Sequence, residues 1–212
     1  MDWEKARYLL VEQQIRPWNV LDSKVLERVL NTRREDFVPA DKKELAFVDV
    51  ELPLANGQLM LAPKVEARLL QEVALKETDK VLIVGAGTAY LTALAAGLCA
   101  QVVVIEADTK QAELTNAALK AAGIKNVSIE VGTTLTSKQG PFDVIIAAAS
   151  FEEVPAELMQ QLSVEGRLIA ILGQEPIMHA TLFVQGKTAV KPKQVFDYNL
   201  PRFRVNTLQF AF

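Results

Sequence analysis

The chain has 212 residues, half of them hydrophobic and 23% charged, with 23 Lys+Arg against 26 Asp+Glu and a formal net charge of −3. That balance excludes a disordered, charge-dominated polymer, makes a non-specific nucleic-acid binder a poor fit, and suits one compact unit. With a single cysteine (Cys99), no basic-then-apolar leader and no apolar run near the roughly 18 residues of a membrane span, a cytoplasmic protein without disulfides or membrane segments is expected.

Residues 1–78 read as helices and loops. Trp3 to Gln14 places Trp3, Ala6 and Leu10 on one helical face, and Pro17 stops the run. Asp22 is a suitable N-cap for a short helix with the apolar stripe Val25, Leu26, Val29 and Leu30. The stretch Asp36 to Gly57 has no sustained period and contains Pro39 and Pro53, so it is expected to be mostly loop. Pro63 fits the first turn of a third helix, where Val65, Leu69, Leu70 and Val73 alternate with Lys64, Glu66, Arg68 and Glu72.

From residue 79 the pattern changes to strand–helix–strand. Lys80 to Val84 predicts a strand ending in Gly85-Ala86-Gly87, with a helix over Thr88 to Leu98. Gln101 to Glu106, rich in Val and Ile and bounded by polar residues, predicts a buried parallel strand. Thr109 is expected to cap the next helix, with Leu114, Ala118 and Ala121 on one face and Gly123 closing the C-terminus. Val127 to Val131 alternates with Ser128 and Glu130, as a strand nearer a sheet edge does. A strand over Asp143 to Ala149, a helix over Glu152 to Leu162 and a strand over Arg167 to Leu172 follow. After Gly173, Thr181 to Val184, a Gly186-Lys187 turn and Arg204 to Phe212 read as antiparallel strands. The expected fold is α/β: a doubly wound, mostly parallel sheet with helices on both faces, an N-terminal helical extension and antiparallel C-terminal strands.

The turn after the first strand carries the chemistry. Glycines there let the backbone approach a ligand and aim free N–H groups at a helix N-terminus, beyond the carboxyl ends of the strands where open parallel sheets bind ligands. Tyr90 stands where a dinucleotide fingerprint needs its last glycine, which argues against a nicotinamide oxidoreductase. Gly85-Ala86-Gly87-Thr88-Ala89 is instead a G-x-G-x-A variant of the G-x-G-x-G loop of S-adenosylmethionine enzymes. Glu106 ends the next strand 19 residues beyond Gly87, where a carboxylate can accept hydrogen bonds from a ribose diol. The bland alternative is a tight turn followed by a solvated strand end.

Further segments stand in a definite order. Gln14-Ile15-Arg16 precedes Asp22, Val25 and Leu26, and Arg33-Arg34-Glu35-Asp36-Phe37-Val38-Pro39 follows. Ala46-Phe47-Val48-Asp49, Leu52-Pro53-Leu54 and Gly57-Gln58 come next, then Val81-Leu82-Ile83-Val84-Gly85-Ala86-Gly87-Thr88-Ala89-Tyr90. Pro141-Phe142-Asp143, Val154-Pro155, Leu158, Gln161-Leu162 and Gly166-Arg167-Leu168 complete the series. Over roughly residues 5 to 175 this order resembles the protein-L-isoaspartate O-methyltransferase family. The resemblance implies a Rossmann-like methyltransferase core over residues 79–212, with residues 1–78 as a helical and substrate-loop extension packed on it. It implies S-adenosylmethionine as cofactor, and as partner a protein or peptide whose isoaspartyl carboxylate is methylated and whose ester collapses to a succinimide. Gly85, Ala86, Gly87 and Tyr90 would form the cofactor loop, Glu106 would hold the ribose, and Gly132 with Thr133 would lie near the adenine.

Departures from that family fall on functional positions. Its substrate loop reads glycine-glutamine-threonine-isoleucine-serine; here Gly57-Gln58-Leu59-Met60-Leu61 has lost both hydroxyls, and Leu61 replaces the presumed active-site serine. The expectation is that Leu59, Met60 and Leu61 pack against the sheet rather than forming an apolar substrate pocket. Asp49 is then the remaining polar candidate on the substrate side. Ile83 stands where an acid helps hold the methionyl amine, Ala89 replaces the third glycine, and Thr133 replaces an aspartate facing the adenine amine. Each lost charge-assisted hydrogen bond costs about 1.5–3 kcal/mol, so two would weaken cofactor binding by about two to four orders of magnitude. A non-catalytic binding or regulatory module therefore stands as the alternative to a working methyltransferase. His179 reads as a surface or packing residue and Cys99 as a buried, inert thiol, with no metal-ligand cluster around His179. Lys187, Lys191, Lys193, Arg202 and Arg204 read as a solvated basic edge.

Overall fold

Helices lead and a sheet follows in the computed structural model, which describes residues 2–85, 87–186 and 190–203. Helix α1 (Trp3–Leu10) starts at Asp2, whose carboxylate accepts the Lys5 N–H. The chain continues through a π-helical turn over Val11–Ile15 and a 3₁₀ turn over Arg16–Trp18, then leaves the helical path at the left-handed Asn19. Helix α2 (Ser23–Asn31) is capped by the Asp22 carboxylate and buries Val25, Leu26 and Val29. The stretch read as loop holds 3₁₀ turns over Arg34–Asp36 and Ala40–Leu45 and a small hairpin, β1 (Leu52–Pro53) against β2 (Leu59–Met60). Helix α3 (Pro63–Val73) has its proline in the first turn and buries its predicted apolar face.

Seven strands form the main sheet: β3 (Lys80–Val84), β4 (Gln101–Glu106), β5 (Val127–Val131), β6 (Phe142–Phe151), β7 (Leu162–Gln174), β8 (Ile177–Gln185) and β9 (Val190–Asp197). Their order is β5-β4-β3-β6-β7-β8-β9, with the first five parallel and the last two antiparallel. The chain winds outward from β3 and then returns to its other side, so β3 and β6 flank the switch point at which such sheets bind ligands. Strict alternation divides the core. Val81, Ile83, Val102 and Val104 join the helical face with residues of α2, α3 and α4, whereas Leu82, Val84, Val103 and Ile105 face the opposite side. Each fully buried aliphatic side chain contributes roughly 1.5–3 kcal/mol, which makes this two-sided strand core the main source of stability.

Several expectations are corrected. Helix α4 (Ala89–Ala96) and helix α5 (Thr109–Ala121) form where predicted, but α5 is capped by Asp108 and buries Ala112, Thr115 and Leu119, leaving Leu114 exposed. The expected helix over residues 152–162 shrinks to one turn, α6 (Ala156–Met159), because β7 already begins at Leu162. The second sheet face is thus covered by α6 and by loop residues such as Leu135 and Val154. Strand β9 was not anticipated; Pro192 within it is tolerated because β9 is the edge strand. Cys99 is buried, with its thiol pushed up to about 12 by desolvation, and His179 pairs with Asp197 at 2.6 Å on the surface. Ala86, Lys187 and the expected strand over Arg204 to Phe212 lie outside the described residues.

Glu66, grouped with the polar face of α3, is fully buried. Its Oε2 meets Arg34 Nη1 at 2.5 Å, and Arg34 Nη2 donates to the Leu61 carbonyl at 2.9 Å. Burial raises the Glu66 carboxyl above its ordinary range, and the Arg34 guanidinium opposes that rise. Removing one partner of a buried pair leaves a charge without water or counter-ion, so Arg34→Ala should cost about 3–5 kcal/mol in urea unfolding. The double variant Arg34→Met/Glu66→Leu should recover most of that loss, since no charge is then stranded.

Candidate active site

A cavity of about 300 Å³ opens at the carboxyl edge of the parallel strands. Four segments wall it: Asn56, Gly57, Gln58, Leu59 and Leu61 from the hairpin and the residues after it; Ala107 and Asp108 after β4; Ala148 and Ala149 near the end of β6; and Leu200 to Phe203. The β6 wall is shaped by a register irregularity, since four residue steps from Ile146 to Ser150 are matched by two from Ile169 to Ile171. Such a bulge re-aims the local backbone, here the stretch that includes Ala148 and Ala149.

Beside this cavity lies the glycine turn. Gly85 has φ +138°, and a Cβ there would stand 2.8 Å from the carbonyl oxygen of Ala148, so the turn lies directly behind the cavity wall. Gly87 has φ +63°, and a Cβ there would meet Leu54 Cδ1 at 2.6 Å and Met60 Cα at 3.2 Å. The hairpin therefore rests on the turn. Both glycines are required by conformation and by close approach.

Glu106 is only 2% exposed. Loss of water pushes its carboxyl up to about 7, against the opposing pull of the Asp108, Ala107 and Gly87 peptide groups. The Asp108 N–H donates to Oε1 at 3.0 Å. The acid predicted to hold a ribose is thus beside the glycine turn, desolvated, and one residue before the cavity wall at Ala107. It is not a solvated strand end.

Other predicted residues scatter. Tyr90 is fully buried away from the cavity lining, with the Arg34 guanidinium 4.9 Å above its ring and Phe37 5.9 Å away. Desolvation drives its phenol far above the ordinary range, and its hydroxyl has no partner among the described residues. Gly132 donates its N–H to the Glu106 carbonyl at 3.0 Å, while Thr133 is exposed beyond it; neither lines the cavity. Asp49 lies off the cavity, paired with Lys64 at 2.7 Å beside a shallow hollow that includes Glu51 and Tyr198. Leu59 and Leu61, expected only to pack, line the cavity, Leu61 while also buried in the core; Met60 packs inward against Gly87 and does not line it. Residues 200–203 were missed as site residues, since nothing in their spacing signals a return to the sheet. Asp108 carries a signal that could have found it, an acid two residues past the strand end and placed to cap a helix.

The model of the Protein-L-isoaspartate(D-aspartate) O-methyltransferase family matches residues 5–197. A protein-L-isoaspartate O-methyltransferase of Petrotoga mobilis is 35% identical over 176 residues, covering 82% of this chain and 83% of the relative. The chain belongs to this family. A Myxococcus xanthus protein-L-isoaspartate O-methyltransferase is 34% identical, over 92% of this chain and 89% of its own. In fold, a Plasmodium falciparum protein described as a protein-L-isoaspartate O-methyltransferase, crystallised with S-adenosyl-L-homocysteine, superposes with a TM-score of 0.81 at 21% identity, covering 94% of this chain and 99% of that one. Among the described residues, no helix of this isoaspartate methyltransferase family member is long and apolar enough to cross a membrane.

Substitution at the glycine turn separates conformational demand from mere presence of a glycine. Gly85→Ala places a methyl group against the rigid backbone of Ala148 at positive φ and should lower stability by roughly 2–4 kcal/mol in urea melts. Gly132→Ala, with no atom within 4 Å of the added carbon, should change stability by less than about 0.5 kcal/mol.

Proposed function

We propose that the cavity holds S-adenosylmethionine against the β3–α4 turn and presents an isoaspartyl carboxylate to it, the reaction for which the family is named. The observation that carries this reading is the joint placement of Gly85, Gly87 and the desolvated Glu106 at the switch point, directly behind a ligand-sized cavity. What supports the fit is a cavity bordered by Ala107 and Asp108, directly after the unexposed acid Glu106. When bound, S-adenosylmethionine supplies an activated methyl group on a sulfonium.

Gly85 and Gly87 let the turn pack against Ala148 and the hairpin that wall the cavity, Glu106 accepts from the ribose hydroxyls, and Ala107 and Asp108 border the nucleoside. On the far side, Leu59 and Leu61 exclude water from the reacting oxygen. A carboxylate is already anionic at neutral pH, so the absence of a serine at position 61 removes no indispensable base. Orientation is what the walls must supply, and well-aligned reactants lower a barrier by about 7–11 kcal/mol. A cytoplasmic setting, with its reducing conditions, suits the unpaired Cys99.

Incubation with methyl-labelled S-adenosylmethionine and an isoaspartyl peptide should transfer label to that peptide and not to its normal aspartyl counterpart. Retained cofactor binding without transfer would favour the alternative, a binding module built on the same fold. Glu106 adds a pH signature. Its ionised form accepts more hydrogen bonds, and its pKa stands near 7, so affinity for S-adenosylhomocysteine should rise with pH. Between pH 6 and pH 8 the ionised fraction grows roughly tenfold, and calorimetric affinity should follow it. Glu106→Gln should bind more weakly and without that pH dependence.

A further inference from the structure

The segment Leu200–Phe203 closes the cavity, and one residue fastens it. Ser150, at the end of β6, donates its hydroxyl to the Leu200 carbonyl at 2.7 Å and its N–H to the Pro201 carbonyl at 3.2 Å. The Phe203 N–H donates back to the Ser150 carbonyl at 3.1 Å, and the Phe203 ring stacks on Phe151 with centroids 5.8 Å apart. Arg202 is thereby held between two anchored neighbours. It is the sole cation among the described residues that line the cavity.

The guanidinium is half committed. Its Nη2 donates to the Gly173 carbonyl at 2.6 Å, which fixes the plane of the group. Its Nη1 is shielded from solvent and has no hydrogen-bond partner among the described residues. A buried donor without a partner costs free energy until an acceptor arrives, and an anion satisfies it best. The one acid on the wall, Asp108, is already occupied in capping α5 through the Gln111 N–H at 2.7 Å.

We propose that Arg202 binds the isoaspartyl carboxylate of the substrate, turning its buried, unpartnered Nη1 donor to the ligand as it enters and replacing the hydroxyls absent at Leu59 and Leu61. The inference rests on the methyl-transfer reading above and names the group that recognises the substrate. Because Nη2 is held by Gly173, the contact is made through Nη1 to one carboxylate oxygen, and the other oxygen stays free to attack. The apolar wall sharpens the choice: a carboxylate entering past Leu59 and Leu61 loses water and needs a charged partner, whereas a neutral amide gains far less from one.

The test uses the full chain, an isoaspartyl peptide and its isoasparaginyl analogue, in which an amide replaces the carboxylate. Arg202→Gln should raise KM for the isoaspartyl peptide by about tenfold to a hundredfold, with affinity for S-adenosylhomocysteine unchanged within twofold. Arg202→Lys should recover part of the loss, since one donor suffices. The parent protein should be inhibited by an unreactive acid peptide far better than by the amide, and Arg202→Gln should treat the two alike. An unchanged KM, or a fall in cofactor affinity matching the rise in KM, overturns the assignment; the second outcome would put the guanidinium on the cofactor. If Arg202→Gln does not fold, acid-over-amide discrimination by the parent and by Arg202→Lys supports the assignment, and equal inhibition overturns it. A parent protein that binds cofactor but neither methylates nor binds the peptide overturns the methyl-transfer reading and this inference with it.

Discussion

One guanidinium ties together parts of the chain that lie far apart in sequence. Arg34 follows α2, Glu66 belongs to α3, and Leu61 leaves the hairpin for the cavity wall; Arg34 joins the other two by donating Nη1 to the Glu66 carboxylate and Nη2 to the Leu61 carbonyl. Shifting α3 relative to the turn at residues 34–36 would separate two charges that have no water to fall back on, at a cost of several kcal/mol. Leu61 is therefore held by its backbone, independently of what its side chain is. Tyr90 extends the same assembly, since its ring lies beneath the guanidinium while its own peptide belongs to the helix that follows the glycine turn. The glycine turn and the hairpin wall of the cavity are thus braced by a single buried cation, which explains why a tyrosine so close to the glycine loop is turned into the core.

Legibility in the sequence followed how local the determining physics is. Strands β3, β4 and β5 begin and end where the apolar runs do, because burial on both faces, or on one, is written directly into consecutive residues. The helix expected over residues 152–162 failed because Leu158, Gln161 and Leu162 suit a helix only if the chain has no better use for Leu162, and pairing with β6 provides one. Strand β9 was hidden by Pro192 and two lysines, a composition that signals loop in isolation and edge strand only once a neighbour exists. At the site, the glycines and Glu106 were legible because close approach leaves a compositional mark. Arg202 was not: a basic residue in a basic tail looks solvated until the Ser150 anchor turns it inward.

The substitutions that set this chain apart from its family's pattern share a direction, toward apolar packing at places where a polar contact would serve a ligand. Ile83 is fully buried on the helical face of β3, where it joins the cluster containing Val81 and Val104. An acid there would be desolvated and would require a cation, whereas isoleucine contributes roughly 1.5–3 kcal/mol to folding. Leu61 is likewise 3% exposed while still bordering the cavity, so its side chain stabilises the wall and seals it. The polar groups beside the cavity are then few: Glu106, which accepts the Asp108 N–H, and Arg202, whose Nη1 has no partner among the described residues. Charged groups shielded from water in this way act with less screening than on an exposed surface, so even a sparse set determines the field inside the cavity.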